Sequence, residues 1–111
     1  MIEKTILDFL NERMREPVLA EIPANPAAEY VLVVKAGGTT RDFLSTSQIV
    51  IVSTGKTLQR AAKSHESVKS IMSSLTELDD VTKVKLLEEG NTTDPLAKRH
   101  RYQGVYEITH Y

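Results

Sequence analysis

The chain has 111 residues, enough for one domain and too few for two independent cores. Apolar residues make up 41% and charged residues 26%, a globular rather than disordered composition, and the formal net charge of -1 gives no general pull toward nucleic acid or an anionic membrane. Cysteine is absent, which excludes disulfides, thiolate metal sites and cysteine nucleophiles, and no apolar run approaches the ~20 residues of a membrane helix.

The opening Met1-Ile2-Glu3-Lys4 lacks the basic start and apolar centre of a signal peptide, so the chain reads as soluble and not secreted. Ile2, Ile6, Phe9, Leu10 and Met14 fall on one face of a helix over residues 2–14, which Pro17 ends. Val18 to Ile22 is a short apolar piece suited to an edge strand, and Pro23-Ala24-Asn25-Pro26 is a loop. Tyr30-Val31-Leu32-Val33-Val34 is a continuous run that suits a central strand covered on both faces. Gly37 to Asp42 reads as turn and loop, and Gln48 to Val52 as a second strong strand. Together they predict an antiparallel hairpin with a long tip.

Residues 56–75 predict a second helix, with Leu58, Ala61, Ala62, His65, Val68, Met72 and Leu75 on one stripe. Asp79-Asp80 marks a turn. Val81 to Leu87, read as a strand, puts Thr82, Val84 and Leu86 on one face and Val81, Lys83, Lys85 and Leu87 on the other. Gly90 to Lys98 is a polar loop. Tyr102 to Tyr111 alternates, with Tyr102, Gly104, Tyr106, Ile108 and His110 on one face. The order predicts an α+β fold, a mostly antiparallel sheet of four to five strands with two helices packed on one face.

Ser53-Thr54-Gly55-Lys56-Thr57 sits where a phosphate-binding loop would sit, between a strand and a helix. Such a loop needs a further glycine five positions before Gly55, and that position is Val50, inside the strand. Gly55 is then a turn residue, with Ser53 or Thr54 capping the helix. His65, His100 and His110 lack metal-ligand spacing, and His65 reads as a hydrogen-bonded or half-buried histidine on an apolar stripe. No serine stands in a nucleophile elbow, and nothing assembles a nucleophile, base and oxyanion site. The residues therefore point away from an enzyme, with no cofactor, metal or small-molecule substrate expected.

Two surfaces remain. Lys98-Arg99-His100-Arg101 is a short basic cluster, either a solvated loop edge or an electrostatic contact with another subunit or with DNA. The hairpin tip, Thr39, Thr40, Arg41, Asp42, Phe43 and Leu44, sets an apolar pair in a polar loop, either folded onto its own core or offered to a neighbouring chain.

Several stretches, taken in order, resemble a known family. They are the helix at 2–14 with Pro17-Val18, Glu29 to Lys35 with Gly37, and Leu44 to Ser53 with Lys56-Thr57-Leu58 and Ala61-Ala62. Asn91-Thr92-Thr93-Asp94 and Arg101 to Tyr106 complete the series. The arrangement is similar to the small tail-terminator, or head–tail joining, proteins of siphophages that infect Gram-positive bacteria, over nearly the whole chain. The resemblance implies one tail-terminator-like domain over residues 1–111. It implies a homo-oligomeric ring, commonly a hexamer, on the last ring of the tail tube, ending tube growth and meeting the head connector. Its partners would be itself, the major tail tube protein and the head connector, with non-specific contact to packaged DNA and none to a membrane. Its location would be the virion tail, after assembly in the bacterial cytoplasm. A connector stopper or another minor virion protein is the alternative, and a small nucleic-acid-binding module a more remote one.

Overall fold

A computed structural model of the chain describes residues 2–96 and 99–111. The elements are helix α1 (Ile2–Asn11), strands β1 (Val18–Leu19), β2 (Tyr30–Arg41) and β3 (Leu44–Gly55), helix α2 (Leu58–Met72), a 3₁₀ turn (Leu75–Glu77), and strands β4 (Val81–Asn91) and β5 (His100–His110). The five strands form one sheet in the order β1-β2-β3-β5-β4, with only β1 parallel to its neighbour. The α+β expectation therefore stands.

Helix α1 buries Ile2, Ile6, Phe9 and Leu10, the residues its periodicity selects. It stops at Asn11, earlier than Pro17 requires. The reason is local: the Asn11 carboxamide turns aside to clamp Val18, accepting from its N–H and donating to its C=O, each at 3.2 Å. This clamp and the bond from the Val31 N–H to the Pro17 carbonyl, 2.9 Å, seat the two-residue β1 at the sheet edge.

Helix α2 begins at Thr57, whose hydroxyl accepts from the Arg60 N–H at 3.1 Å. Thr57, not Ser53 or Thr54, is the cap, because both of those are buried residues of β3. Gly55 has an ordinary negative φ, so the turn does not demand it. A Cβ there would stand 2.5 Å from the backbone nitrogen of Ala61, so the glycine is what lets α2 approach the end of β3. Ala61, Ser64, His65, Val68 and Met72 face inward, while Leu58 on the first turn is 39% exposed.

Both helices lie on one face of the sheet, around Val31, Val33, Ile49, Ile51, Tyr106 and Ile108. The opposite face has no helix over it; at one end Tyr30 and Thr54 are buried beside Arg99, and the rest is more open. This face carries Leu19, Leu32, Val50, Val52 and Val105, all half-buried, and Val34, which is 41% exposed. This corrects the reading of Tyr30–Val34 as a strand covered on both faces. An uninterrupted apolar run does not by itself say how many layers lie over it.

Strand β4 departs from simple alternation for a visible reason. Its register against β5 shifts between Val81 and Lys83, and again between Leu86 and Glu88. The first bulge inserts Thr82, so Val81 joins Val84 and Leu86 on the helix side and exposed Thr82 does not. The second inserts Leu87 and brings Glu89 to the helix side, opposite Gly104.

Candidate functional site

The stretch from Gly37 to Asp42 is not a loop. Strand β2 continues to Arg41 and pairs with β3 residue by residue: Thr39 with Thr46, Thr40 with Ser45, Arg41 with Leu44. The turn is only Asp42-Phe43, at φ 52° and 66°. A two-residue turn with both central residues at positive φ matches the right-handed twist of its strands, which is why hairpins prefer it. Asp tolerates that region; a bulky aromatic there is an outlier. Thr40 Oγ1 and Ser45 Oγ are 2.9 Å apart across the pair.

The result is a stiff arm. Every residue of β2 from Val34 to Arg41 is exposed, and Phe43 at the tip is 91% exposed. Leu44 is half-buried. The two members of the apolar pair thus part: Leu44 stays partly with its own molecule and Phe43 is presented outward. On its β3 side the arm is braced by β5, with Ser45 opposite His110 and Ser47 Oγ 2.8 Å from His110 Nε2.

Lys98 of the basic cluster lies outside the described residues. Arg99 is exposed, forms a bridge with Asp94, and donates through Nη1 to the Tyr30 hydroxyl at 3.3 Å. His100 and Arg101 are the first residues of β5, paired with Gly55 and Thr54, and both are half-buried. Strand alternation puts Arg99 and Arg101 toward the helix-free face and His100 toward the other. The cluster that is continuous in sequence is divided in space.

The densest group of titratable side chains is one the sequence did not reveal. His65, 2% exposed, stacks on Tyr102 with ring centroids 5.7 Å apart, and its Nε2 donates to Glu89 Oε1 at 2.9 Å. Lys69 Nζ reaches the same oxygen at 3.0 Å. The hydrogen bonds from His65 and then Lys69 hold the Glu89 carboxyl below its ordinary value, and the bond to Glu89 raises Lys69. Burial, with the Glu89 and Glu66 carboxylates, pushes the Tyr106 phenol far up. Gly104 makes room for both rings, since a Cβ there would meet Tyr106 at 2.9 Å and His65 at 3.1 Å. Only the bulge at Leu87 aims Glu89 inward, and a bulge leaves no mark on composition or spacing. His65 is buried while the Glu89 carboxylate and the Lys69 ammonium reach solvent, and no nucleophile converges on them among the described residues. Among the described residues no set of three or more His, Asp or Glu could hold a metal ion.

A charged cleft of about 790 Å³ opens at the amino-terminal end of α2, between Arg15, Glu16, Glu29, Lys56, Arg60 and Lys63. Glu29 accepts from the Lys56 N–H at 3.2 Å and from Arg60 Nε at 2.8 Å, and these bonds lower its pKa. Where the phosphate of a nucleotide would sit in a true phosphate-binding loop, the Lys56 amide is already taken by this carboxylate.

No family model matches the chain, and no curated protein does either. Among solved structures, it is similar to a chain of the virion of a native gene transfer agent (GTA) particle. The TM-score is 0.48 with 10% identity, over 95% of this chain and 83% of that one.

Proposed function

We propose that the chain is a structural virion subunit that forms a ring, a hexamer, at the head-proximal end of a bacteriophage tail, where it ends tube growth and joins the tail to the head. One observation carries the reading: the β2–β3 arm holds Phe43 in solvent at a φ of 66° on a braced hairpin. A bulky residue in that conformation costs about 1–2 kcal/mol, which the pairing of β2 with β3 offsets, while its exposed ring makes no contact that would favour an aromatic there. The ring is free to meet a neighbouring protein. The helix-free sheet face with Leu32, Val34, Val50 and Val105 supports the same reading, since a subunit that assembles has apolar surface left to bury. The resemblance of the order of its sequence features to that of siphophage tail terminators supports this choice of assembly.

In this reading Thr39 to Leu44 meet the tail tube or an adjacent subunit, and of the Lys98–Arg101 cluster it is Arg99 and Arg101, on one side of the strand, that face the lumen and passing DNA. Phe43→Ser should leave the fold intact and abolish co-sedimentation with preassembled tubes of the major tail protein from the same genome. Unchanged co-sedimentation of that variant would remove the arm from the interface. Serine at Lys98, Arg99 and Arg101 together should reduce DNA retention in particles, and normal phage yield would remove the cluster.

A further inference from the structure

We infer that copies of this chain associate head to tail, the acidic corner Glu77, Asp79 and Asp80 of one seating in the basic cleft of the next; the inference rests on the ring reading above. The two patches are on the same molecule and cannot meet within it. The cleft lies at the amino-terminal end of α2, the corner beyond its carboxyl end, and fifteen helical residues between them span about 22 Å.

The cleft is electropositive after its internal pairs are counted. Glu29 is held by the Lys56 amide and Arg60, and Glu16 accepts from the Ser64 hydroxyl at 2.8 Å. The side chains of Arg15, Lys56 and Lys63 are exposed and have no carboxylate within ion-pair distance among the described residues. Glu77, Asp79 and Asp80 are likewise exposed and unpaired. The excess positive charge sits at the amino-terminal end of the helix. The first turn of α2 contains no acid, its positive end is ringed by cations, and the nearest acidic cluster follows its negative end. Charge placed this way gives each molecule two complementary poles at different places on its surface. Such a contact is heterologous, and its repetition closes into a ring when the rotation allows.

The test is sedimentation velocity over a range of protein concentrations. Wild-type protein in about 0.05 M salt should associate, and in about 0.5 M salt the association should weaken at least about tenfold as the charges are screened. Arg15→Glu with Lys63→Glu should be monomeric, as should Asp79→Lys with Asp80→Lys. An equimolar mixture of these two variants should regain the wild-type mass, because both contacts in an alternating assembly are again complementary. Circular dichroism melts show whether each variant is folded, and Arg15→Gln with Lys63→Gln should associate to an intermediate extent. A wild type that stays monomeric in low salt, reversals that leave association unchanged, or a mixture that fails to recover would each overturn the inference. Wild-type protein that caps tail tubes while the reversals associate normally leaves the ring reading standing without this contact. Charge-dependent association by a protein that ignores tubes does the opposite.

Discussion

Phe43 stands at φ 66° with 91% of its surface in solvent, so its ring adds little to the stability of its own fold. Replacing it with glycine should relieve the backbone and turn Asp42-Phe43 into the Asp-Gly pair that such turns favour. Phe43→Gly should raise stability by about 1 kcal/mol, read as a higher denaturation midpoint, while tube binding is lost. Opposite signs for stability and assembly separate an interface residue from a structural one. Tyr106 makes the reverse case. Its hydroxyl is buried with no hydrogen-bond partner among the described residues, so Tyr106→Phe should be neutral or stabilising by up to about 1 kcal/mol in the same measurement. Glu89 gives a pH signature. Its folded pKa lies below the ordinary 4.5, so the stability it contributes is present above that value and disappears as pH falls through the folded one. Glu89→Gln should flatten this acid limb of the stability–pH curve, leaving its remainder to the other carboxylates.

At the scale of elements, the parts written in periodicity were legible and the parts written in register were not. The apolar stripes of α1 and α2 and the alternation of Tyr102 to His110 predict the faces that the structure buries. The arm looks like a loop in the sequence because Gly37-Gly38 weakens strand propensity and the stretch lacks apolar alternation. It is a strand because Thr46, Ser45 and Leu44 continue β3 directly opposite, and β5 fixes β3 in turn. Gly38 takes part for a spatial reason, since a Cβ there would stand 2.8 Å from the Thr46 carbonyl oxygen. The two bulges of β4 reversed the parity read from Val81 onward, which hid Glu89. Of the expected contact residues, the tip was identifiable as an apolar pair in polar surroundings, but which of the two faced outward depended on the turn. Gly55→Ala should cost about 1–3 kcal/mol, because its Cβ would press on the backbone of α2 rather than on a yielding side chain. Thr57→Ala should cost about 1 kcal/mol through the lost cap. Urea titration of both variants checks the order.

At the scale of the molecule, the extents of 45 × 25 × 25 Å describe a body elongated in one direction, with the β2–β3 turn projecting beyond the last pair of β3 with β5 and one sheet face free of helices. Helices on the other face supply the core that keeps the fold together. What is left outside that core is a hairpin tip, an apolar face and two oppositely charged patches. The central claim is that this chain ends a phage tail. Electron microscopy of tubes grown from the major tail protein of the same genome, with and without this chain, tests it most directly. The account predicts that growth stops when the chain is added and that each finished tube carries a ring of it at one end. Tubes that keep growing at the same rate, with no ring at either end, would contradict it.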